Sequence, residues 1–197
     1  MDIILKQTVI LASSSPRRRE LLRSLGLKFK TVPAHIDEDY LEGETLRQHV
    51  VRLARNKAGL VAEKYPDAWV LGADTIVVVD GQILGKPENK TQAKKMLQKL
   101  NGRTHKVYTC FVIARRNSRV SKTRVIQSTV RFKNISPDEM KWYISTKEPY
   151  DKAGGYAAQE KGASFIKALR GSYTNVIGLP LCEVLEELKK LGVIRFR

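Results

Sequence analysis

The sequence predicts an α/β fold with a mixed sheet, and three observations lead to that prediction. Apolar runs typical of buried strands, such as residues 8–11 and 69–79, alternate with segments whose apolar residues recur every three to four positions. Two long segments of alternating character, residues 105–115 and 119–132, are typical of an antiparallel pair. Because the chain lacks internal repeats and low-complexity segments, residues 1–197 are expected to form a single domain.

The first apolar run leads directly into a helix start. In the segment Ala-Ser-Ser-Ser-Pro-Arg-Arg-Arg-Glu (residues 12–20), Pro16 suits the first helical position, and Gly26 suits the left-handed position past the helix end. The free N–H groups of such a helix start, together with the guanidinium groups of residues 17–19, favour an anion, so a polyphosphate is expected here. A capped surface helix with a basic first turn is the alternative, since no P-loop or dinucleotide glycine pattern is present.

The rest of the first half alternates strands with helices. A short strand is predicted over residues 28–32, and a long helix over residues 45–65, where the apolar residues form one stripe with Lys57 near it. Residues 69–79 form an apolar run that is typical of a buried strand and is interrupted by the charged residue Asp74. The next helix is expected to be capped by Thr91.

The second half begins with the predicted antiparallel pair and ends with a helix. Ser136, followed by proline and by glutamate at the third position, predicts a helix that runs to about residue 146. The segment 151–156, Asp-Lys-Ala-Gly-Gly-Tyr, is better suited to a binding loop than to a strand. The remaining predictions are strands over residues 164–169 and 175–177 and a helix over residues 180–191.

The chain is strongly basic, with a formal net charge of +16 and a pI near 10.0. This balance predicts an anionic partner, which the charge alone allows to be a nucleic acid or a small phosphorylated substrate. Lysines and arginines are spread over most of the chain, and the sequence has no basic tail, RNA-binding aromatic signature or zinc finger. A nucleic-acid partner is therefore not expected.

Composition also bears on location and redox state. Every apolar run falls well short of the roughly 20 residues that span a bilayer, and the N-terminus lacks the basic-then-apolar pattern of a secretory signal. Cys110 and Cys182 lack metal-ligand spacing and are interpreted as reduced thiols in the core. The protein is expected in the cytoplasm, without a membrane partner.

Asp74 is the residue that the sequence marks most clearly for chemistry. A carboxylate inside an apolar strand must be desolvated unless the strand opens into a cleft, where it can hold a divalent cation or accept a proton from water. Glu38, with Asp37 and Asp39 beside it, could complete an oxygen-ligand set for Mg²⁺ or Mn²⁺. The structural alternatives are an Asp74 hydrogen-bonded to a neighbouring turn and, for Asp39, a solvated acidic loop.

Two lysines stand out by their isolated positions, Lys57 and Lys86, of which the second lies between a glycine and a proline. Ammonium groups near the two ends of a polyphosphate would offset charge that develops during phosphoryl transfer. From spacing alone, ordinary surface lysines are the better interpretation. The three histidines are too scattered to form a metal triad, and none is assigned to catalysis.

Several short motifs follow one another along nearly the whole chain. They are Ala-Ser-Ser-Ser-Pro-Arg-Arg-Arg-Glu-Leu-Leu (12–22), Leu-Ala-Arg-Asn-Lys-Ala (53–58), Gly-Ala-Asp-Thr (72–75), Gly-Lys-Pro (85–87), Leu-Asn-Gly-Arg-Thr-His (100–105), Asp-Lys-Ala-Gly-Gly-Tyr (151–156) and Val-Ile-Gly-Leu-Pro (176–180). Together they resemble the Maf (septum formation inhibitor) family of nucleoside triphosphate pyrophosphatases.

The resemblance implies both a fold and a reaction. The fold is shared with the inosine triphosphate pyrophosphatases, an elongated mixed sheet flanked by helices with a cleft between two lobes, often in a homodimer. The reaction is cleavage of a nucleoside triphosphate to the monophosphate and pyrophosphate, aided by Mg²⁺, Mn²⁺ or a similar ion. Such an enzyme would remove non-canonical or excess nucleotides from the pool.

The resemblance also implies roles for individual residues. The family's proton-accepting aspartate corresponds to Asp74, and its acidic metal-site residue corresponds to Glu38, with Asp37 as the second candidate. The metal would therefore be held by Glu38 and Asp74. The residues that correspond to the phosphate-handling set are Ser13, Arg17, Lys57 and Lys86.

The substrate branch is implied by the Asp-Lys-Ala-Gly…Gln form of residues 151–159, which is similar to the dTTP/UTP branch and unlike the 7-methyl-GTP branch. Arg17, Thr75 and Gln159 would then set base choice, and the amide of Gln159 can pair a donor and an acceptor across a pyrimidine edge. The chain departs from the family at residues 157–160, where Ala-Ala-Gln-Glu replaces the usual Gly-Ile-Gln-Gly. Glu160 therefore places a carboxylate beside the implied base pocket.

The alternative hypothesis is a basic nucleic-acid-binding or cell-division regulatory protein with a vestigial pocket. The net charge of +16 and the family's association with arrested septum formation favour it. The two hypotheses differ in what they require of Asp74. A binder should lose affinity steeply with salt and tolerate Asp74→Ala, whereas an enzyme should lose turnover with that change.

Overall fold

The computed structural model describes residues 3–196, and these residues form a mixed α/β fold, as predicted. The elements of the first half are β1 (Ile3–Leu5), β2 (Val9–Ala12), α1 (Pro16–Arg23), β3 (Lys30–Thr31), α2 (Leu46–Lys64), β4 (Trp69–Val79), β5 (Gln82–Leu84) and α3 (Lys90–Leu100). Those of the second half are β6 (Thr104–Arg115), β7 (Val120–Phe132), α4 (Pro137–Ser145), β8 (Ile166–Arg170), α5 (Tyr173–Ile177), α6 (Leu181–Lys190) and β9 (Ile194–Phe196).

The main sheet has seven strands in the order β3-β2-β4-β6-β7-β8, and β5 pairs with β4 outside this path. Strand β2 is parallel to both of its neighbours, whereas the β4–β5 and β7–β8 pairs are antiparallel. Strands β6 and β7 are neighbours, as their alternating sequences predicted. A second sheet contains only β1 and β9.

Side-chain caps fix several of the helix starts that the sequence indicated. Helices α2 and α4 each begin with a complete capping box, formed by Thr45 with Gln48 and by Ser136 with Glu139. In each box the hydroxyl accepts a bond from the third residue of the helix, and that residue's side chain accepts one from the cap N–H. Helix α1 begins at Pro16, directly after the cap residue Ser15, whose side chain accepts the Arg18 N–H.

Strand β4 contains Asp74, as the sequence predicted for a carboxylate inside a buried strand. Three other predictions were wrong. The cap of α3 is Asn89 rather than Thr91, because the Asn89 side chain accepts the Gln92 N–H at 2.9 Å. Residues 175–177 lie in a short helix, since the hydroxyl of Ser172 accepts the Asn175 N–H and turns the chain. The third concerns Cys182, which is exposed, whereas Cys110 is buried as expected.

The terminal strands β1 and β9 were not predicted. Each has three residues, and their pairing joins the two ends of the chain, as in the partners Ile4 and Arg195. A run that short carries too little periodicity to be recognised as a strand in sequence.

The chain divides into two compact units. Unit 1 contains the described residues up to Asp74, together with Thr109–Ile126 and the residues from Gly178 onward; unit 2 contains Thr75–Tyr108 and Gln127–Ile177. In unit 1, α2 contacts β2, and both contribute buried apolar side chains. The core of unit 2 is rich in aromatic side chains, namely Phe132, Tyr143, Tyr156 and Phe165. Within residues 3–196, no helix is both long and apolar enough to cross a membrane.

Candidate active site

The close packing of α2 against β4 at Gly72 positions two of the predicted site residues. A Cβ on Gly72 would lie 2.8 Å from the Ala54 carbonyl oxygen and 2.7 Å from the Ala58 nitrogen, both of them helix backbone. Alternate residues of a strand share a face, so Asp74 lies on the same face as Gly72. Lys57 precedes Ala58 in the helix. The absence of a side chain at Gly72 therefore allows the helix to bring Lys57 to Asp74.

Lys57 joins Asp74 and Glu38 through one ammonium group. Its Nζ lies 2.7 Å from Oδ1 of Asp74 and 2.6 Å from Oε1 of Glu38. Asp74 and Lys57 are each only 7% exposed, whereas the Glu38 side chain is 49% exposed. The buried carboxylate is thus paired, as the cost of burying a charge requires, and the pair reaches solvent on the Glu38 side.

Glu44 fixes the far end of the acidic loop that carries Glu38. Its carboxylate accepts bonds from Nε and Nη2 of Arg52 at 2.7 and 2.9 Å and lies 3.0 Å from Nδ1 of His49. Arg52 also donates to the carbonyl oxygen of Asp39 at 2.7 Å. The hydrogen bond from Arg52 lowers the pKa of Glu44 to about 2, so the contact persists in mild acid.

Sequence reasoning did not find this anchor. The available signal was an acidic residue directly before the cap of α2, with histidine and arginine following in the first turns of the helix.

At the start of α1, Arg18 differs from its neighbours Arg17 and Arg19 because it is buried. Arg18 turns into unit 1, where its Nε donates to the Gly178 carbonyl oxygen and its Nη1 to the Ala73 carbonyl oxygen, each at 2.8 Å. Nη1 also lies 3.3 Å from Oγ of Ser13. Burial lowers the pKa of Arg18, and the Asp74 charge opposes that shift. The sequence predicted that the guanidinium groups of residues 17–19 favour a phosphate, whereas Nε and Nη1 of Arg18 are directed to backbone carbonyl oxygens.

Ser13, predicted to handle phosphate, is also buried. Besides its contact with Arg18, its hydroxyl accepts the Ser15 N–H at 3.2 Å and so shapes the turn into α1. Arg17 is half-buried at the second position of that helix. Ser13, Arg17, Glu38, Lys57 and Asp74 all belong to unit 1.

The other predicted residues belong to unit 2. Thr75 follows Asp74 in β4, Lys86 is exposed after β5, and Gln159 is exposed between α4 and β8. The segment that carries Lys86 contacts the glycine-rich motif, since the Gly154 N–H donates to the Gly85 carbonyl oxygen at 2.9 Å. Gly154 has a φ of 72°, and a Cβ there would lie 3.0 Å from a methyl carbon of Val77. Glycine is thus required where this motif packs on β4.

The donor set at Lys57 suits a hard divalent cation. Two carboxylates, of Glu38 and Asp74, already converge on one positive charge. Within the described part of the chain, no group of three or more histidine, cysteine or acidic side chains is placed to hold a metal. Mg²⁺ is usually bound by one or two carboxylates together with substrate phosphates, so this pair fits such an ion without a third protein ligand.

The chain is similar to known proteins over nearly its whole length. The chain matches the family model described as Maf-like protein over residues 8–191. It is 52% identical to a dTTP/UTP pyrophosphatase of Syntrophus aciditrophicus, covering 98% of this chain and 94% of that protein. It is 47% identical to a dTTP/UTP pyrophosphatase of Geotalea uraniireducens, covering 96% of this chain and 97% of that protein.

A solved structure gives an independent comparison of the fold. The Ham1 protein of Staphylococcus aureus superimposes with a TM-score of 0.52 at 15% identity, covering 93% of this chain and all of that chain. At this identity the likeness concerns the fold alone. From the family match and the identity to these relatives over nearly its whole length, we conclude that the chain belongs to the Maf-like protein family.

Proposed function

We propose that the protein is a nucleoside triphosphate pyrophosphatase that hydrolyses dTTP and UTP to the monophosphate and pyrophosphate. The observation that carries this proposal is the buried Lys57–Asp74 pair with Glu38 at its solvent side, in a chain whose relatives bear that activity in their names. A carboxylate fixed beside an ammonium and open to solvent on one side is suited to accept a proton from water near a polyphosphate.

In this mechanism Asp74 accepts a proton from the attacking water. The water oxygen forms a bond to the α-phosphorus while the bond from that phosphorus to the α–β bridging oxygen breaks, and pyrophosphate leaves with the electron pair. Lys57 holds the Asp74 carboxylate in place, and with Arg17 and Lys86 it offsets phosphate charge. Ser13 shapes the helix start that faces the phosphates.

Glu38 and Asp74 would together hold Mg²⁺ or Mn²⁺. When bound, such an ion neutralises charge on the triphosphate and lowers the pKa of a bound water. Arg17, Thr75 and Gln159 would select the base, with the Gln159 amide reading a pyrimidine edge. The proposal extends to a cytoplasmic homodimer that clears excess or non-canonical nucleotides. No observation favours the nucleic-acid-binding alternative over it.

The test is pyrophosphate release from dTTP, UTP, CTP and 7-methyl-GTP with Mg²⁺ or Mn²⁺. We expect release from dTTP and UTP, and we expect Asp74→Asn to lower kcat by about 100-fold or more. The matched control is Asp80→Asn, which changes an exposed aspartate whose φ of 51° asparagine also adopts.

A folded wild-type protein that releases no pyrophosphate from any of these nucleotides would overturn the proposal. The alternative would then be tested by titrating single-stranded RNA at several salt concentrations. For the metal, Mn²⁺ binding measured by water-proton relaxation should weaken in Glu38→Gln, independently of turnover. Unchanged Mn²⁺ binding would contradict the assignment of Glu38.

A further inference from the structure

A buried carboxylate closes the loop that carries Gln159. Glu148 is 6% exposed and accepts three hydrogen bonds through its side chain. Its Oε1 accepts from Oη of Tyr143 at 2.9 Å and from the Gly162 N–H at 2.8 Å, and its Oε2 accepts from the Lys161 N–H at 3.0 Å. These contacts lie within unit 2 and outside the residues assigned above.

The positions of these partners make Glu148 a link between the two ends of one loop. Glu148 begins the segment, which we call the 148–162 loop, and Lys161 and Gly162 end it. Between them lie the glycine-rich motif and Gln159. The carboxylate of Glu148 therefore joins the two ends of this loop, as backbone hydrogen bonds between paired strands join the two ends of a hairpin.

Lys152 closes the same loop a second time. This lysine is 6% exposed, and its Nζ donates to the Glu148 carbonyl oxygen at 2.9 Å and to Oδ1 of Asp151 at 2.6 Å. Its Nζ also lies 3.6 Å from Oε1 of Glu160, the residue directly after Gln159. On the other side of Gln159, the carbonyl oxygen of Ala158 accepts a bond from Tyr173.

These contacts hold the backbone on both sides of Gln159, while its own side chain stays exposed. A held backbone restricts where the amide can lie, and an amide restricted in this way can present its donor and acceptor to a base in one order. Glu148 itself is not placed for chemistry, because its carboxylate is buried and engaged with three donors.

We propose that Glu148 is a positioning residue for base recognition, which acts by closing the 148–162 loop so that Gln159 presents its amide in one orientation to a pyrimidine base. This inference rests on the proposed function, because it assumes a nucleotide substrate. It assigns Glu148 a part in selecting the base and none in breaking the phosphoanhydride bond. Lys152 and Glu160 support the same orientation from the other side of the loop.

The test is Glu148→Gln, which keeps the shape of the side chain but places an NH₂ group against backbone and hydroxyl donors. We expect KM for dTTP to rise about tenfold, kcat to stay within about twofold, and the preference for dTTP over CTP to fall about tenfold. The amides of Lys161 and Gly162 should exchange faster with deuterium, since their acceptor is weakened. A control is Tyr143→Phe, which leaves both backbone bonds to Glu148 intact and should keep the wild-type preference.

Faster amide exchange with unchanged dTTP preference would overturn the proposal and leave Glu148 a structural role only. Equal losses of kcat for all nucleotides would overturn it as well, since they would place Glu148 in the chemistry. If Glu148→Gln does not fold, Glu148→Asp keeps the buried charge but withdraws the carboxylate by one methylene group from the Lys161 and Gly162 N–H groups. We then expect the preference for dTTP over CTP to fall about threefold, and an unchanged preference would overturn the proposal.

Failure of the proposed function would look different from failure of this inference. In that case the wild-type protein itself would release no pyrophosphate from dTTP or CTP. The proposed role of Glu148 in selecting the base would then be overturned as well. The exchange measurement would then still report whether Glu148 closes the loop.

Discussion

The Arg18 guanidinium connects three segments of unit 1 that are distant in the sequence. It binds the carbonyl oxygens of Ala73 and Gly178 and contacts the hydroxyl of Ser13. Because Ala73 directly precedes Asp74, Arg18 holds the backbone that carries the proposed proton acceptor. One planar group with several fixed donors can satisfy these acceptors together, which an ammonium cannot do in the same geometry.

Arg18→Lys should therefore reduce both stability and turnover. At least one buried carbonyl would lose its partner, and we expect the free energy of unfolding to fall by about 2–4 kcal/mol. Because the Asp74 backbone is also loosened, kcat should fall about tenfold or more. Urea denaturation and pyrophosphate release measure the two effects.

The matched control is Arg23→Lys, at an exposed position at the end of the same helix, which should change neither quantity measurably. If Arg18→Lys has the same free energy of unfolding as the wild-type protein, the prediction is contradicted, because the buried hydrogen bonds of Arg18 would then not contribute to stability.

At the scale of elements, the distance between α2 and β4 decides whether the site forms. The helix brings Lys57 to Asp74 only because β4 presents no side chain at Gly72. Helix backbone, unlike a side chain, cannot rotate away from an added methyl group. The packing of these two elements is therefore linked directly to the geometry of the Lys57–Asp74 pair.

Gly72→Ala should push α2 away from β4. We expect the free energy of unfolding to fall by about 1–3 kcal/mol and kcat to fall about tenfold, because Lys57 moves with the helix. Thermal or urea unfolding and pyrophosphate release are the measurements.

Gly59→Ala provides the control within α2, since a Cβ at Gly59 has no heavy atom within 4 Å. This change should instead stabilise the protein by about 0.5–1 kcal/mol, because alanine favours a helix over glycine. Equal effects of the two substitutions would contradict the packing argument.

At the scale of the whole molecule, a buried neutral histidine contributes to the loss of stability of this protein at low pH. His105 is 2% exposed, and its Nε2 lies 2.7 Å from Oη of Tyr156. Its ring packs edge-on against Phe132, with centroids 5.0 Å apart. Burial lowers the pKa of His105 to about 4, so the folded protein leaves it neutral at pH values where the unfolded chain protonates it.

This difference predicts how stability changes with pH. Between the folded pKa of about 4 and the unfolded value of about 6.5, the unfolded chain binds the extra proton. The contribution of His105 to the free energy of unfolding is therefore complete above about pH 6.5. It is lost as the pH falls toward 4, at up to about 1.4 kcal/mol per pH unit.

Urea denaturation from pH 4.5 to 7.5 measures this slope, and His105→Gln should remove the part that comes from the histidine. Because both proteins share every carboxylate, the difference between their curves isolates His105. Parallel curves for wild type and variant would contradict the prediction.

The fold was predictable where the signal is local. The caps Thr45 and Ser136 satisfy donors within one helical turn, so their residue pattern alone identifies the starts of α2 and α4. Residues 175–177 were wrongly predicted to form a strand, because three residues are too few to show an apolar periodicity. The hydroxyl of Ser172 accepts the Asn175 N–H and so stabilises a helical turn there. Cys182 was assigned wrongly because the exposed face of a short helix is set by what packs against its other face.

By itself, the sequence determined the α/β class, the position of Asp74 in a buried strand and, through the resemblance of its ordered motifs, the Maf-like family. Motifs, caps and apolar periods are properties of neighbouring residues, and so they can be read in order along the chain. The tertiary structure alone decided that Lys57 joins Asp74 to Glu38, that Arg18 turns inward and that Glu148 closes the 148–162 loop. Those contacts depend on which buried charges find partners, and most of them join segments that meet only when the chain folds.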